Sequence, residues 1–247
     1  MTENPSIEEL AARCAAAEEN WKRVQERMEA AAARAGRSRS EVTLLAATKT
    51  VPPEVINHVI GLGLTHIGEN RVQELCEKYD RLALSGVQVH MIGHLQTNKV
   101  RQVADKVNMI QSVDSLHLAQ EISRVCTKLN RPMDVLIEVN VGGEEQKSGV
   151  APEQLEELCA QAAALPMLTV RGLMTVPPVC EHEADVHKYF SKMSRLFLDM
   201  QAKKTDNVYM QILSMGMSHD YEAAIAEGAT MVRVGSALFG ARQYPVK

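Results

Sequence analysis

Aromatic residues are scarce: Phe, Trp and Tyr together make up 4% of the 247 residues. Hydrophobic residues still reach 45%, so any core must be built from Ala, Val, Leu, Ile and Met. Basic charge is also short, with 27 Lys and Arg against 31 Asp and Glu and a net charge of -4. A general nucleic-acid binder would show a basic face, and no basic stretch interleaved with aromatics occurs here. No run approaches the roughly 18 apolar residues of a membrane helix, so no membrane span is expected. The five cysteines are Cys14, Cys76, Cys126, Cys159 and Cys180, and none forms a C-x-x-C pair. An odd, scattered set suits reduced thiols better than a disulfide framework. Glu3, Glu8 and Glu9 precede any apolar run, which is unlike a signal peptide. The expectation is a soluble, cytoplasmic protein.

What is present is periodicity. Pro5-Ser6 followed by Glu9 reads as a capping box opening a helix over about 6–35. Ile7, Leu10, Cys14, Ala17, Trp21, Val24, Met28 and Ala31 recur at spacings of three and four, which is one apolar stripe. Gly36 supplies a stop. The stripe predicts an extra helix packed on the main body; a short dimerising coiled coil is the alternative. Apolar segments near 42–48, 64–68, 87–93, 108–113, 133–140, 168–175, 209–214 and 231–235 then read as strands. Helical patterns fall between them, near 53–62, 70–83, 96–105, 115–129, 152–164, 183–203 and 218–227. This alternation implies a parallel sheet, and eight strands is the number that closes a (β/α)8 barrel. An open, doubly wound sheet is the competing arrangement. The expected organisation is one domain over 1–247, with the barrel spanning 42–240.

Lys49 follows the first strand pattern, and two Gly/Ser turns follow the seventh and eighth: Ser214-Met215-Gly216-Met217-Ser218 and Arg233-Val234-Gly235-Ser236. In such barrels the active site lies at the C-terminal ends of the strands, and phosphate is commonly held after strands seven and eight. Closure makes the first strand the neighbour of the eighth, so the fold sets an amine beside an anion cradle. Alone, Lys49 reads as a solvated charge and the turns as strand–helix corners. Together they suit a phosphorylated carbonyl compound held as a Schiff base, which requires a lysine whose pKa is lowered by burial or a nearby cation. Arg233 alternates inward and needs an acceptor.

The motifs Thr48-Lys49-Thr50, Gly68-Glu69-Asn70-Arg71-Val72-Gln73-Glu74, the run His90 to Lys99, Gly172-Leu173-Met174-Thr175, Ser214 to Ser218 and Val232 to Gly240 resemble, as a set, the pyridoxal phosphate homeostasis protein family. The resemblance extends over nearly the whole chain. It implies a TIM barrel of the alanine racemase N-terminal type, with an extra N-terminal helix. It implies that Lys49 forms a Schiff base with pyridoxal 5'-phosphate (PLP), and that Ser218 and the amides of Gly235 and Ser236 hold the phosphate, with Ser214 grouped among the cofactor-binding residues. Arg233 would face the pyridine nitrogen and weaken the ring as an electron sink. Asn70 and Met174 would line the ring pocket. Arg71 stands where some members carry an aromatic. The implied function is PLP homeostasis: holding the cofactor, buffering it, and supplying it to apo PLP-dependent enzymes without robust turnover and with no catalytic residue assigned. The implied assembly is a monomer or weak dimer. A PLP-dependent racemase of weak or restricted activity is the alternative. The chain ends at Lys247, directly after the eighth unit, so the C-terminal β-domain that gives alanine racemases a second base is expected to be missing, and Tyr244 is no substitute. A class I aldolase-like barrel, in which the lysine attacks a sugar phosphate, is a third reading.

Other features point less far. His90 and His94 stand four apart, but around a strand-end turn rather than on a helix, so no metal site is expected. Asn140 to Gly149 reads equally as a family loop or as a polar rim. The Met-rich run 210–217 reads as core packing.

Overall fold

The computed structural model describes residues 6–144, 146–180 and 182–241; Glu3, Pro5, Tyr244 and Lys247, named above, lie outside them, as does Glu145 within the 140–149 segment. The first helix, α1, spans Ile7–Arg34. Its capping box is formed: the Ser6 hydroxyl accepts from the Glu9 amide at 3.1 Å, and the Glu9 carboxylate accepts from the Ser6 amide at 2.8 Å. Gly36 takes φ +69° just past the end, the left-handed turn that glycine tolerates. Ala17, Val24, Met28 and Ala31 of the stripe are buried, with Ala32 beside them. They face the body of the same chain, so the packed helix is the observed arrangement.

Strands and helices then alternate. β1 is Thr43–Ala47, β2 His66–Glu69, β3 Gln88–Met91, β4 Met109–Val113, β5 Met133–Glu138, β6 Leu168–Met174, β7 Val208–Ser214 and β8 Met231–Val234. The helices between them are α2 Pro53–Gly61, α3 Val72–Lys78, α4 Val100–Val103, α5 Leu116–Leu129, α6 Leu155–Ala163, α7 Glu183–Ala202 and α8 Tyr221–Ala226. A short helix that periodicity did not reveal, α9 Ser236–Phe239, follows β8.

The strands form one closed barrel in sequence order. The closing pair is parallel, with Leu44 opposite Val232 and Ala46 opposite Val234. That pairing decides between the barrel and the open sheet. The main core lies between the barrel and its helices, filled by aliphatic residues with Phe190 and Tyr221 as its largest buried aromatics. Two smaller clusters fill the barrel interior: Leu45, Ala47, Ile92 and Met231 on one side, and Met109, Leu136 and Met174 on the other. Met210 and Met215 are buried core residues.

Candidate functional site

Beyond β1 the chain turns sharply. Thr48 still pairs with β2, its amide donating to the Gly68 carbonyl at 3.0 Å. Thr50 adopts φ +64°, a left-handed conformation rare for a β-branched residue. The turn is braced from outside the barrel by Lys78. Its buried ammonium donates to the Thr48 carbonyl at 2.9 Å, to Glu69 Oε1 at 2.7 Å and to Glu74 Oε1 at 3.1 Å. Glu69 Oε1 also accepts from the Thr48 hydroxyl at 2.5 Å, and Glu74 accepts from the Thr50 amide. Burial pushes the Glu69 carboxyl up, against the pull of the Lys78 ammonium. The residues on both sides of Lys49 are therefore fixed to one buried ion cluster, and Lys49 itself is half-buried on a cavity wall.

That cavity, of about 450 Å³, opens at the C-terminal ends of β1, β2 and β8 and is bordered by the segment after β7. Its size suits a small-molecule site. Lys49, Arg233 and Arg13 of α1 line it, and no Asp or Glu does so among the described residues. Asn70 lines it too, and Asn70 Oδ1 is buried without a hydrogen-bond partner. Such an orphaned acceptor is unfavourable by about 1–3 kcal/mol unless something donates to it. Gly93 makes room for this residue: a Cβ there would stand 2.3 Å from the Asn70 carbonyl oxygen.

On the far wall, Ser218 Oγ accepts from the amides of Gly235 at 3.0 Å and Ala237 at 3.1 Å. Its own proton is thus left to donate outward, beside the exposed Ser236 at the start of α9. Gly216 lets the chain turn here, with φ +89° and no space for a Cβ against Ala224. Carbonyl 216 also accepts from the Arg233 amide at 3.0 Å, which ties the two Gly/Ser segments together.

Arg233 is buried inside the barrel and heads a directed chain of hydrogen bonds. Its guanidinium donates to the Thr175 carbonyl at 2.7 Å and to Ser214 Oγ at 2.8 Å. Since arginine can only donate, Ser214 passes its own proton to Gln111 Oε1 at 2.7 Å. Gln111 Nε2 then donates to His90 Nδ1 at 2.8 Å, which fixes His90 as the neutral Nε2–H tautomer. Burial, aided by His66, pushes the His90 pKa down to about 3. Burial lowers the Arg233 pKa to about 10, opposed by Glu138 and Asp220. Glu138, at the end of β5, is pushed up to about 7 by burial and then by Asp114, while Arg233 pulls it down. Glu138 Oε2 is buried and unpartnered.

Lys49, Asn70, Ser218, Arg233, Gly235 and Ser236 thus meet around one cavity. Ser214 and Met174 do not reach its wall. Ser214 is fully buried, and its hydroxyl serves Arg233 and Gln111. Met174 is fully buried against Met109 and Leu136. Met217, from the Met-rich run, lines the cavity instead of the core. His90 and His94 do not converge: His90 is inside the barrel, while His94 lies 3.5 Å from Asp114 at the rim. No group of three His, Cys, Asp or Glu among the described residues is arranged to hold a metal. Among the described residues, no helix is long and apolar enough to cross a membrane. Sequence reading missed Lys78, Gln111, Glu138 and Arg13. A polar Gln111 within Met109-Ile110-Gln111-Ser112-Val113 and an acid ending Val135-Leu136-Ile137-Glu138 were the available signals.

The family model "Alanine racemase, N-terminal domain" matches residues 13–243. A protein of Aquifex aeolicus called pyridoxal phosphate homeostasis protein is 51% identical over 226 residues, covering 92% of this chain and 98% of its own length. Among solved structures, an unknown protein from Bifidobacterium adolescentis matches with a TM-score of 0.88 at 36% identity, covering 96% of this chain and 98% of that one. PipY of Synechococcus elongatus, solved with PLP bound, matches with a TM-score of 0.73 at 33% identity, covering 81% of this chain and 93% of that one.

Proposed function

The chain belongs to the pyridoxal phosphate homeostasis protein family, and on that premise we propose that it binds PLP in the cavity at the C-terminal ends of its strands. The observation that carries the reading is the wall: three cationic side chains, amides with a hydroxyl, and no carboxylate among the described residues. A phosphate monoester carries about -1.5 to -2 charges at neutral pH, which suits that wall. The relative PipY was solved with PLP bound.

In this reading Lys49 would hold PLP through the cofactor's aldehyde, as a Schiff base whose formation releases water. Ser218 would donate its remaining proton to the phosphate and the Ser236 amide would add a second donor, while the Gly235 amide, already bonded to Ser218 Oγ, would hold that hydroxyl in place rather than reach the phosphate itself. Arg233 would face the pyridine nitrogen, and Asn70 would line the ring pocket. Ser214 and Met174 act from behind, by holding Arg233 and by filling the barrel floor. The whole chain, 1–247, is read as one PLP-binding domain. Its role is to buffer PLP in the cytoplasm and supply it to apo PLP-dependent enzymes, as a monomer or weak dimer and without robust turnover. A weak racemase is the second reading, favoured by Glu138, a buried carboxyl of pKa about 7 whose field reaches Arg233. Rapid α-deuterium exchange on alanine, abolished by Lys49→Ala, would establish it.

The direct test is spectroscopic. Purified protein incubated with PLP is expected to gain a visible band that borohydride removes, and peptide mapping is expected to place the pyridoxyl adduct on Lys49. An adduct found only on another lysine overturns the assignment. A sugar phosphate bound at Lys49 would give no pyridine chromophore, which separates the aldolase-like reading.

A further inference from the structure

We propose that Arg13 is a phosphate-recognition residue of the cavity, so that α1 completes the binding site as well as packing on the barrel. The proposal takes the ligand's identity from the cofactor reading, but it takes the ligand's charge from the cavity alone. α1 crosses the end of the described chain: Asn20 Nδ2 donates to the carbonyl of Leu238 in α9 at 3.1 Å. Arg13 precedes Asn20 by seven residues. That is about two helical turns and a rise of roughly 10 Å, which returns the side chain to nearly the same face. Ala17, between them and 1% exposed, marks that face as the packed one. Arg13 therefore extends along α9 and enters the cavity wall together with Phe239 and Gly240.

Three observations make this guanidinium more than a surface charge. It is half-buried, so part of its hydration is already lost. Among the described residues it has no ion pair, and the acids near it on α1 are engaged elsewhere: Glu9 caps Ser6, and Glu18 pairs with Lys22 and His58. It also faces an acid-free wall that already holds Lys49 and Arg233. Bringing a third cation beside two others is unfavourable unless an anion joins them. A planar guanidinium fork matches phosphate in two parallel hydrogen bonds.

The test uses the full chain with Arg13→Gln and Arg13→Lys. Calorimetric titrations at low ionic strength would compare PLP, pyridoxal and inorganic phosphate. Arg13→Gln is expected to weaken PLP and inorganic phosphate by about tenfold, the scale of one charge-assisted hydrogen bond, while leaving pyridoxal unchanged. Arg13→Lys should fall between, and the salt dependence of PLP binding should flatten in Arg13→Gln. Thermal unfolding of the free protein should not move. Wild-type affinities for both phosphate ligands in Arg13→Gln overturn the proposal, as does a wild type that binds neither. If the wild type binds inorganic phosphate through Arg13 but not PLP, the Arg13 assignment stands and the cofactor reading falls. If PLP binds and Arg13→Gln loses nothing, the reverse holds.

Discussion

Lys78 and Arg233 are both buried cations, 6% and 4% exposed, and they are held in opposite ways. Lys78 is surrounded by charge: two carboxylates within 3.1 Å, and the Thr48 carbonyl. Arg233 is held by neutral dipoles, a hydroxyl and a carbonyl. Its acidic neighbours, Glu138 and Asp220, act on it through space without an ion pair. A buried charge that is already neutralised is a brace, since it has no field left to offer a ligand. A buried charge fixed only by dipoles keeps its field, and the field of Arg233 falls on the cavity. The difference separates the outside of the barrel, where Lys78 fixes the turn, from the inside, where Arg233 and Lys49 face a common space.

The comparison breaks first at Lys78. Removing one partner from a buried ion pair leaves the other charge uncompensated, which costs about 3–5 kcal/mol. Lys78→Met is expected to lower unfolding stability in urea by that amount. Adding Glu69→Gln should restore part of it, since Glu69 would then no longer be a lone buried carboxylate. Loss below about 1 kcal/mol in the single variant would mean that the cluster is no brace.

Arg233 can be probed through Glu138, the acid whose charge acts on it most strongly. The folded pKa of Glu138, about 7, lies above the ordinary 4.5. A raised carboxyl pKa means that the folded state holds the proton more tightly than the unfolded state. Ionised Glu138 therefore opposes folding. The penalty is absent below about pH 4.5, grows as pH rises to 7, and levels at no more than about 3–4 kcal/mol, at 1.36 kcal/mol per unit. Glu138→Gln should be more stable than wild type at pH 8, less whatever Arg233 loses with its acid neighbour, and no more stable at pH 4. Parallel stability curves for the two proteins across that range would remove Glu138 from the account.

These two residues also show what a sequence can and cannot carry. The strands were legible because each is a short apolar run between breakers, and Lys49, Ser218, Gly235 and Ser236 were legible because they follow such runs directly. Closure was not, because it depends on β1 meeting β8 across the whole chain. Lys78 was invisible for the same reason: its Thr48 partner is 30 residues away, and on α3 it reads as one more helix lysine. The resemblance grouped Met174 and Ser214 with the cavity residues, but a motif carries no depth. Both stop inside the barrel, one against Met109 and the other under Arg233.

Ser214 gives the smallest effect and the finest cut between the two cations. Its hydroxyl accepts from Arg233 and donates to Gln111, so Ser214→Ala orphans one donor and one acceptor at once. For a buried pair the loss is about 1–3 kcal/mol, at the lower end if a water fills the small gap left by the hydroxyl. No charge pair is broken, so the cost should stay below that of Lys78→Met. Because the chain continues to His90, Gln111 becomes free to flip its amide and present oxygen instead of nitrogen to Nδ1, which would favour the other tautomer of His90. Nitrogen chemical shifts of the imidazole read that change directly. A stability loss with the His90 tautomer unchanged would confine Ser214 to supporting Arg233; no loss at all would show that the Thr175 carbonyl alone suffices to hold the guanidinium in place.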